Sequence, residues 1–208
     1  TRRSCKICRK DMSIVIQKRG VLDTVQDLGR RGYAKYGINP NGAMDSSAVR
    51  LINTLLGNDE NEAVIEMHFP APIVRFTESV WIAIGGADFC AHIGEESIET
   101  WKSYFAKKGS ILTFRKKKLG ARCYLSVRGG FQIDRWLESA STNLKAGLGG
   151  FNGRYLISTD KIALRRDVDS SDQYKTLKVA RSGLPDYSNT PTIRAIAGAE
   201  YRDITALS

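Results

Sequence analysis

A mainly β protein, folded as a closed or nearly closed barrel with one covering helix, is what this sequence predicts, and three observations carry that expectation. Apolar residues alternate with period two through most of the chain, turn residues punctuate the gaps, and only one stretch has helical spacing. At 208 residues and 42% hydrophobic content, there is material for a sizeable core. Closing the sheet would leave no strand edge open to aggregation.

The elements follow in chain order. Ile14 and Ile16 alternate with Val15 and Gln17 ahead of a turn at Gly20. Asp45 or Ser46 can cap a helix whose apolar stripe is Ala48, Ile52, Leu55 and Leu56, with Gly57-Asn58 as its stop. This helix is expected to cover an open barrel end. Strands are predicted over 63–69 and 73–76, flanking a Pro70-Ala71-Pro72 break. Further strands are predicted over 80–84, 89–93, 111–114 and 123–127, separated by turns at Gly85-Gly86, Gly94-Glu95, Lys108-Gly109 and Leu119-Gly120. The polar stretch 167–190 reads as a linker or long loop. Residues 192–197 restart a strand pattern, so the organisation expected is an extension over 1–11, a barrel over 12–166, the linker, and the truncated start of a second β region over 191–208.

Composition removes several function classes. No apolar run approaches the roughly 18–20 residues a membrane helix needs, and 1–11 lacks the apolar segment of a secretory signal. A cytoplasmic protein is expected, with no membrane partner. Lys and Arg outnumber Asp and Glu 32 to 22, for a formal charge of +10. The densest basic run, 115–118, lies between two strands and reads as a solvated hairpin tip, and no nucleic-acid-binding pattern accompanies it. No nucleic-acid partner is expected. Cys90 and Cys123 sit in apolar stretches and are expected to be buried free thiols, whereas Cys5 and Cys8 form a C-x-x-C without further ligands for a metal. No metal site is expected.

Familiar catalytic motifs are missing. There is no G-x-S-x-G elbow and no phosphate-gripping G-x-x-x-x-G-K-[ST] loop, and the Gly-rich stretch 147–154 places Asn152 where a dinucleotide fingerprint needs its third glycine. His68 and His92 fall within predicted strands and read as packed or half-exposed imidazoles and not as catalysts.

What remains is polar chemistry gathered in turns: TVQDLGRRGY over 24–33, GAMD over 42–45, GGAD over 85–88 and SASTNLKAGLGGFNGR over 139–154. In this order, with a strand ending in Glu66 between them, these segments resemble the allophanate hydrolase subunit 2 family, the biotin-dependent carboxyltransferase-like proteins, over about 13–166. The resemblance implies a cyclophilin-like β-barrel. It implies one of three partner-dependent settings: the C subunit of an ATP-dependent 5-oxoprolinase, which opens a lactam to glutamate; the carboxyltransferase half of a urea carboxylase; or a non-enzymatic antagonist of a kinase-inhibitor protein. Similarity to stand-alone subunits favours the first, with a B subunit, a lactam-hydrolase A subunit, and a small amide or lactam substrate as partners. ATP and magnesium are then expected at the level of the complex, with no biotin attached to this chain.

Substrates of that kind carry an amide, whose oxygen gathers charge while its N–H must be oriented. Arg30 or Arg154 and the N–H groups around Gly149 and Gly150 could stabilise the oxygen; Asp27 or Asp45 could accept the N–H; Gln26 and Asn143 could orient the amide. The candidate catalytic set is therefore Asp27, Asp45 and Arg154, and the candidate substrate-binding set is Gln26, Arg30, Asn143, Gly149 and Gly150. A structural alternative stands beside it: an Asx-type turn at Gln26 and Asp27, a helix cap at Asp45, and glycines that only permit tight bends.

Overall fold

The structure is a computed structural model describing residues 12–165, 174–185, 187–188 and 190–198; the C-x-x-C of Cys5 and Cys8 lies outside them. Among the described residues eleven strands form two antiparallel sheets. In order of chain they are β1 (Ser13–Lys18), β2 (Thr24–Gln26), β3 (Val64–Met67), β4 (Ile73–Phe76), β5 (Val80–Asp88), β6 (Ala91–Ile93), β7 (Glu96–Ser97), β8 (Ser103–Ala106), β9 (Ile111–Phe114), β10 (Leu119–Val127) and β11 (Lys161–Ala163). The first sheet has the order β11-β1-β4-β9-β6-β7, the second β2-β3-β10-β5-β8. Among the described residues the single α-helix is α1 (Ser46–Leu55).

Alternation assigns the two faces of the second sheet. Ile65 and Met67 on β3, Ile82 and Ile84 on β5, and Cys123, Leu125 and Val127 on β10 point into the core shared with Ile14, Ile16, Val74 and Phe76 of the first sheet. Val64, Ala83 and Tyr124 point the other way and meet Ala48, Val49, Ile52 and Leu55 of α1. The helix therefore lies on the outer face of the second sheet, not over a barrel end, because a sheet with two apolar faces needs a cover on each. Gly85 permits the close approach: a Cβ there would stand 2.4 Å from Cγ2 of Ile52 and 2.8 Å from the Trp101 ring.

Several expectations need correcting. Gly85-Gly86 is not a turn; β5 runs straight through it, and the chain bends at Phe89-Cys90, where Cys90 has φ +51°. Cys90 is half-buried in that bend and not in a strand core, whereas Cys123 is fully buried. Leu119-Gly120 opens β10 and does not form a turn. The basic run 115–118 crosses from one sheet to the other and is no hairpin tip, since β9 pairs with β4 and β6 while β10 pairs with β3 and β5.

From 174 the stretch expected as a linker or long loop runs as an irregular segment packed on the fold. Tyr174 donates its hydroxyl to the Leu55 carbonyl and its ring packs on Trp81, Leu177 exchanges hydrogen bonds with Ser103, and the Val179 N–H reaches the Trp101 carbonyl at 2.9 Å. This strap runs along β8 toward the start of α1. The expected strand over 192–197 does not form. Ile193 and Ile196 are 83% and 97% exposed.

Candidate functional site

Six of the eight sequence candidates come together around the carboxylate of Asp27. Asp27 is fully buried at the end of β2, where Oδ1 accepts from the Gly29 N–H (2.7 Å), the Ser139 hydroxyl (2.7 Å) and the Ser141 hydroxyl (2.5 Å). Oδ2 accepts from the Ala140 N–H at 2.6 Å, with Arg135 at 3.5 Å. These bonds hold 139–141 against the turn.

Arg30 is buried as well. Its guanidinium stacks on Trp136 at 4.6 Å, donates to Oδ1 of Asn41 at 2.9 Å, and donates to the Ser141 carbonyl. Burial lowers its pKa, and the charge of Asp27 opposes that shift. Asn143 exchanges backbone hydrogen bonds with Leu148 at 2.8 and 3.2 Å, and its Oδ1 caps the Ala146 N–H at 3.1 Å, which closes the tight loop 143–148. Gly149 and Gly150 come next with φ of +69° and +55°; a Cβ on them would fall 2.3 Å from the Ser141 carbonyl oxygen and 1.8 Å from Oγ1 of Thr142. Their hydrogen side chains let the loop lie flat on 141–142. Gln26 is different. Its Nε2 donates to Oγ1 of Thr24 at 3.0 Å, but its buried Oε1 has no hydrogen-bond partner among the described residues.

Asp45 belongs to a second, adjoining cluster, joined to the first through the Ala43 N–H, which donates to the Asp27 carbonyl at 2.8 Å. Oδ1 of Asp45 caps α1 at the Ala48 N–H (2.9 Å), and Oδ2 accepts from the Tyr187 hydroxyl on the strap. The Tyr187 ring lies nearly parallel to Trp101, 6.2 Å between centroids. The Asp45 N–H donates to the Tyr124 hydroxyl at 2.9 Å, which donates in turn to Oε2 of Glu66 at 2.9 Å; the Met44 N–H reaches the same oxygen at 2.9 Å. Oε1 of Glu66 faces Nε of Arg122 at 3.7 Å, an ion pair too long for a hydrogen bond. Burial first, then the Glu66 charge, raises the Tyr124 pKa and keeps that phenol protonated.

Arg154 is not drawn into either cluster. Both its Nη atoms bind Asp160 at 2.8 Å, Nη1 also donates to the Tyr155 carbonyl, and Asp160 accepts from the Ile157 N–H as well. Burial alone would raise the Asp160 pKa; the Arg154 and Ile157 hydrogen bonds outweigh it and hold it below the usual value. The bidentate pair ties the Gly-rich loop to the entry of β11.

Glu66, Arg122, Tyr124, Trp101 and Tyr187 lie outside the set of sequence candidates, and His68, not expected to be a catalyst, stands beside them. The signal for four of these residues is in the strands: V-I-E-M-H over 64–68 and R-C-Y over 122–124 place polar residues at alternate positions of stretches otherwise buried. Among the described residues no three His, Cys, Asp or Glu side chains are grouped to hold a metal, and no helix is long and apolar enough to cross a membrane.

The domain is a two-sheet β scaffold whose polar chemistry sits in packed loops. It superposes on the crystal structure of the K. lactis urea amidolyase with a TM-score of 0.78 and 31% identity, over 85% of this chain and 11% of that one. The chain belongs to the family described as carboxyltransferase domain, subdomain A and B, whose model matches residues 36–208. That match runs past 166, so the family likeness includes the strap and the residues beyond it. The C subunit of the Escherichia coli 5-oxoprolinase is 33% identical over 93% of this chain, and the urea amidolyase of Saccharomyces cerevisiae is 35% identical over 86%. The chain spans 60% of the length of the E. coli relative and 10% of the yeast one.

Proposed function

We propose that this chain serves as the C subunit of an ATP-dependent 5-oxoprolinase, in which the lactam of 5-oxoproline is opened to glutamate. The observation that carries this reading is the similarity to the E. coli protein over 93% of the chain. ATP and magnesium act at the level of the complex, with a B subunit and a lactam-hydrolase A subunit as partners in the cytoplasm, and no biotin is attached here. Within this reading the Asp27 hub shapes the loops around the substrate, and Arg30, Asn143, Gly149 and Gly150 act with it through position. Gln26 offers a free amide oxygen to a substrate donor. Asp45 contributes at the head of α1, and Arg154 by fixing the Gly-rich loop.

A second reading, the carboxyltransferase half of a urea carboxylase, is favoured by the superposition on the K. lactis enzyme. Reconstitution separates them. The chain together with its A and B partners should hydrolyse ATP in response to 5-oxoproline, whereas the chain alone should show no turnover with ATP and magnesium. ATP hydrolysis dependent on urea and a biotinylated partner, with none on 5-oxoproline, would select the second reading.

A further inference from the structure

Outside the Asp27 hub, two buried nitrogens on the outer face of the second sheet, one on Arg122 and one on His68, have no hydrogen-bond partner among the described residues. The ladder of β3 with β10 pairs Glu66 with Tyr124 and Met67 with Cys123. One step further in the same register sets His68 opposite Arg122, on the face that carries Glu66 and Tyr124. The Arg122 charge acts on the His68 ring, which places them near each other. Nε of Arg122 and Nδ1 of His68 are both buried and without a hydrogen-bond partner.

Their polarities are opposite. His68 also meets the Leu22 carbonyl. In the neutral ring with its hydrogen on Nε2, Nδ1 is a lone-pair acceptor. Burial, and then the Arg122 charge, lower the His68 pKa and keep the ring neutral. Arg122 offers only donors. Oε1 of Glu66, 3.7 Å from Nε, holds the guanidinium by charge without taking its hydrogen. Leaving a buried polar group unsatisfied costs stability, so an adjacent unsatisfied donor and acceptor mark a place prepared for a ligand carrying the complementary pair.

We infer that Arg122 and His68 bind the cis-amide edge of a lactam or urea, the carbonyl oxygen accepting from Arg122 and the N–H donating to Nδ1 of His68. Both substrates named by the relatives present that edge, so the inference rests on the proposed function for its ligand class. Its test needs neither ATP nor partner subunits.

The full chain is titrated by NMR or calorimetry with 2-pyrrolidone, with urea, and with N-methyl-2-pyrrolidone, which keeps the carbonyl but has no N–H. Saturable binding of 2-pyrrolidone or urea is expected, with a Kd on the order of millimolar for so small a ligand; the tighter of the two names the source. The N-methyl compound should bind at least about tenfold more weakly. Arg122→Gln should weaken binding by a similar factor, and His68→Phe should abolish the preference for the compound with an N–H. Absence of saturable binding, equal binding of the two pyrrolidones to the unaltered chain, or variants that bind like it would each overturn the inference. Because the pyrrolidone comparison uses the unaltered chain, a variant that does not fold leaves the test decisive. Lactam binding by the chain, beside a reconstituted complex that ignores 5-oxoproline, would sink the proposed function and leave the inference standing.

Discussion

At Asp23 the fold holds a carboxyl group where charge is unwelcome. It is 1% exposed, and burial pushes its pKa up to about 6, only partly offset by the N–H groups of Gly20 and His68. A folded pKa above the unfolded value of 3.8 means that the native state keeps a proton the unfolded chain has released. The stabilisation from this group is therefore whole below about pH 4 and is lost as pH rises through about 6. Asp23→Asn keeps an acceptor for the Gly20 N–H and removes the titration. The variant is expected to match the parent near pH 4 and to exceed it near pH 8, by at most about 3 kcal/mol for a two-unit shift. Urea unfolding at the two pH values measures it, and a gain independent of pH would show that the carboxyl does not titrate in that window. Single residues were only partly legible. Asp27, Arg30 and Asn143 could be picked out as polar residues beside glycines, but the hydrogen-bond partners of Asp27 and Arg30 depend on 136–141 folding over 26–30, more than 100 positions away.

At the level of elements, the helix on the outer face of the second sheet is held by shape. Ile52 is β-branched and stiff in a helix, and Trp101 sits at φ +66° in the connection before β8, so neither gives way easily to a methyl group on Gly85. Gly85→Ala should destabilise the protein by about 1–3 kcal/mol through overpacking. Adding Ile52→Leu removes the clashing Cγ2 and should recover part of the loss. Denaturant midpoints of the two variants check this, and an unchanged midpoint for the first would mean that α1 does not press on the sheet. Helix and strand types were readable because their periods, 3.6 and 2, are local properties. The bend at Phe89-Cys90 was not, because Gly85-Gly86 carries the turn composition while its strand conformation is imposed by β10 on one side and α1 above.

For the molecule as a whole, Cys123 reports on the opening of the two sheets. Its thiol is fully buried between them, and burial raises its pKa well above the ordinary range, so alkylation requires exposure. Peptide-resolved labelling in native buffer should find Cys90 modified early and Cys123 only at the rate at which the core opens, with urea accelerating the second. Equal rates would mean that β10 opens locally without the rest. The sequence by itself determined that this is a mainly β chain with one helix, which loops carry its polar chemistry, and which family it resembles, since these follow from periodicity and from motifs contiguous in the chain. Tertiary structure decided that the described residues form two sheets, that α1 covers a face, that 174–185 is a strap, and that Arg122 faces Glu66. Those outcomes rest on pairings between residues tens of positions apart, whose partners are chosen by complementary surfaces rather than by any pattern within one segment.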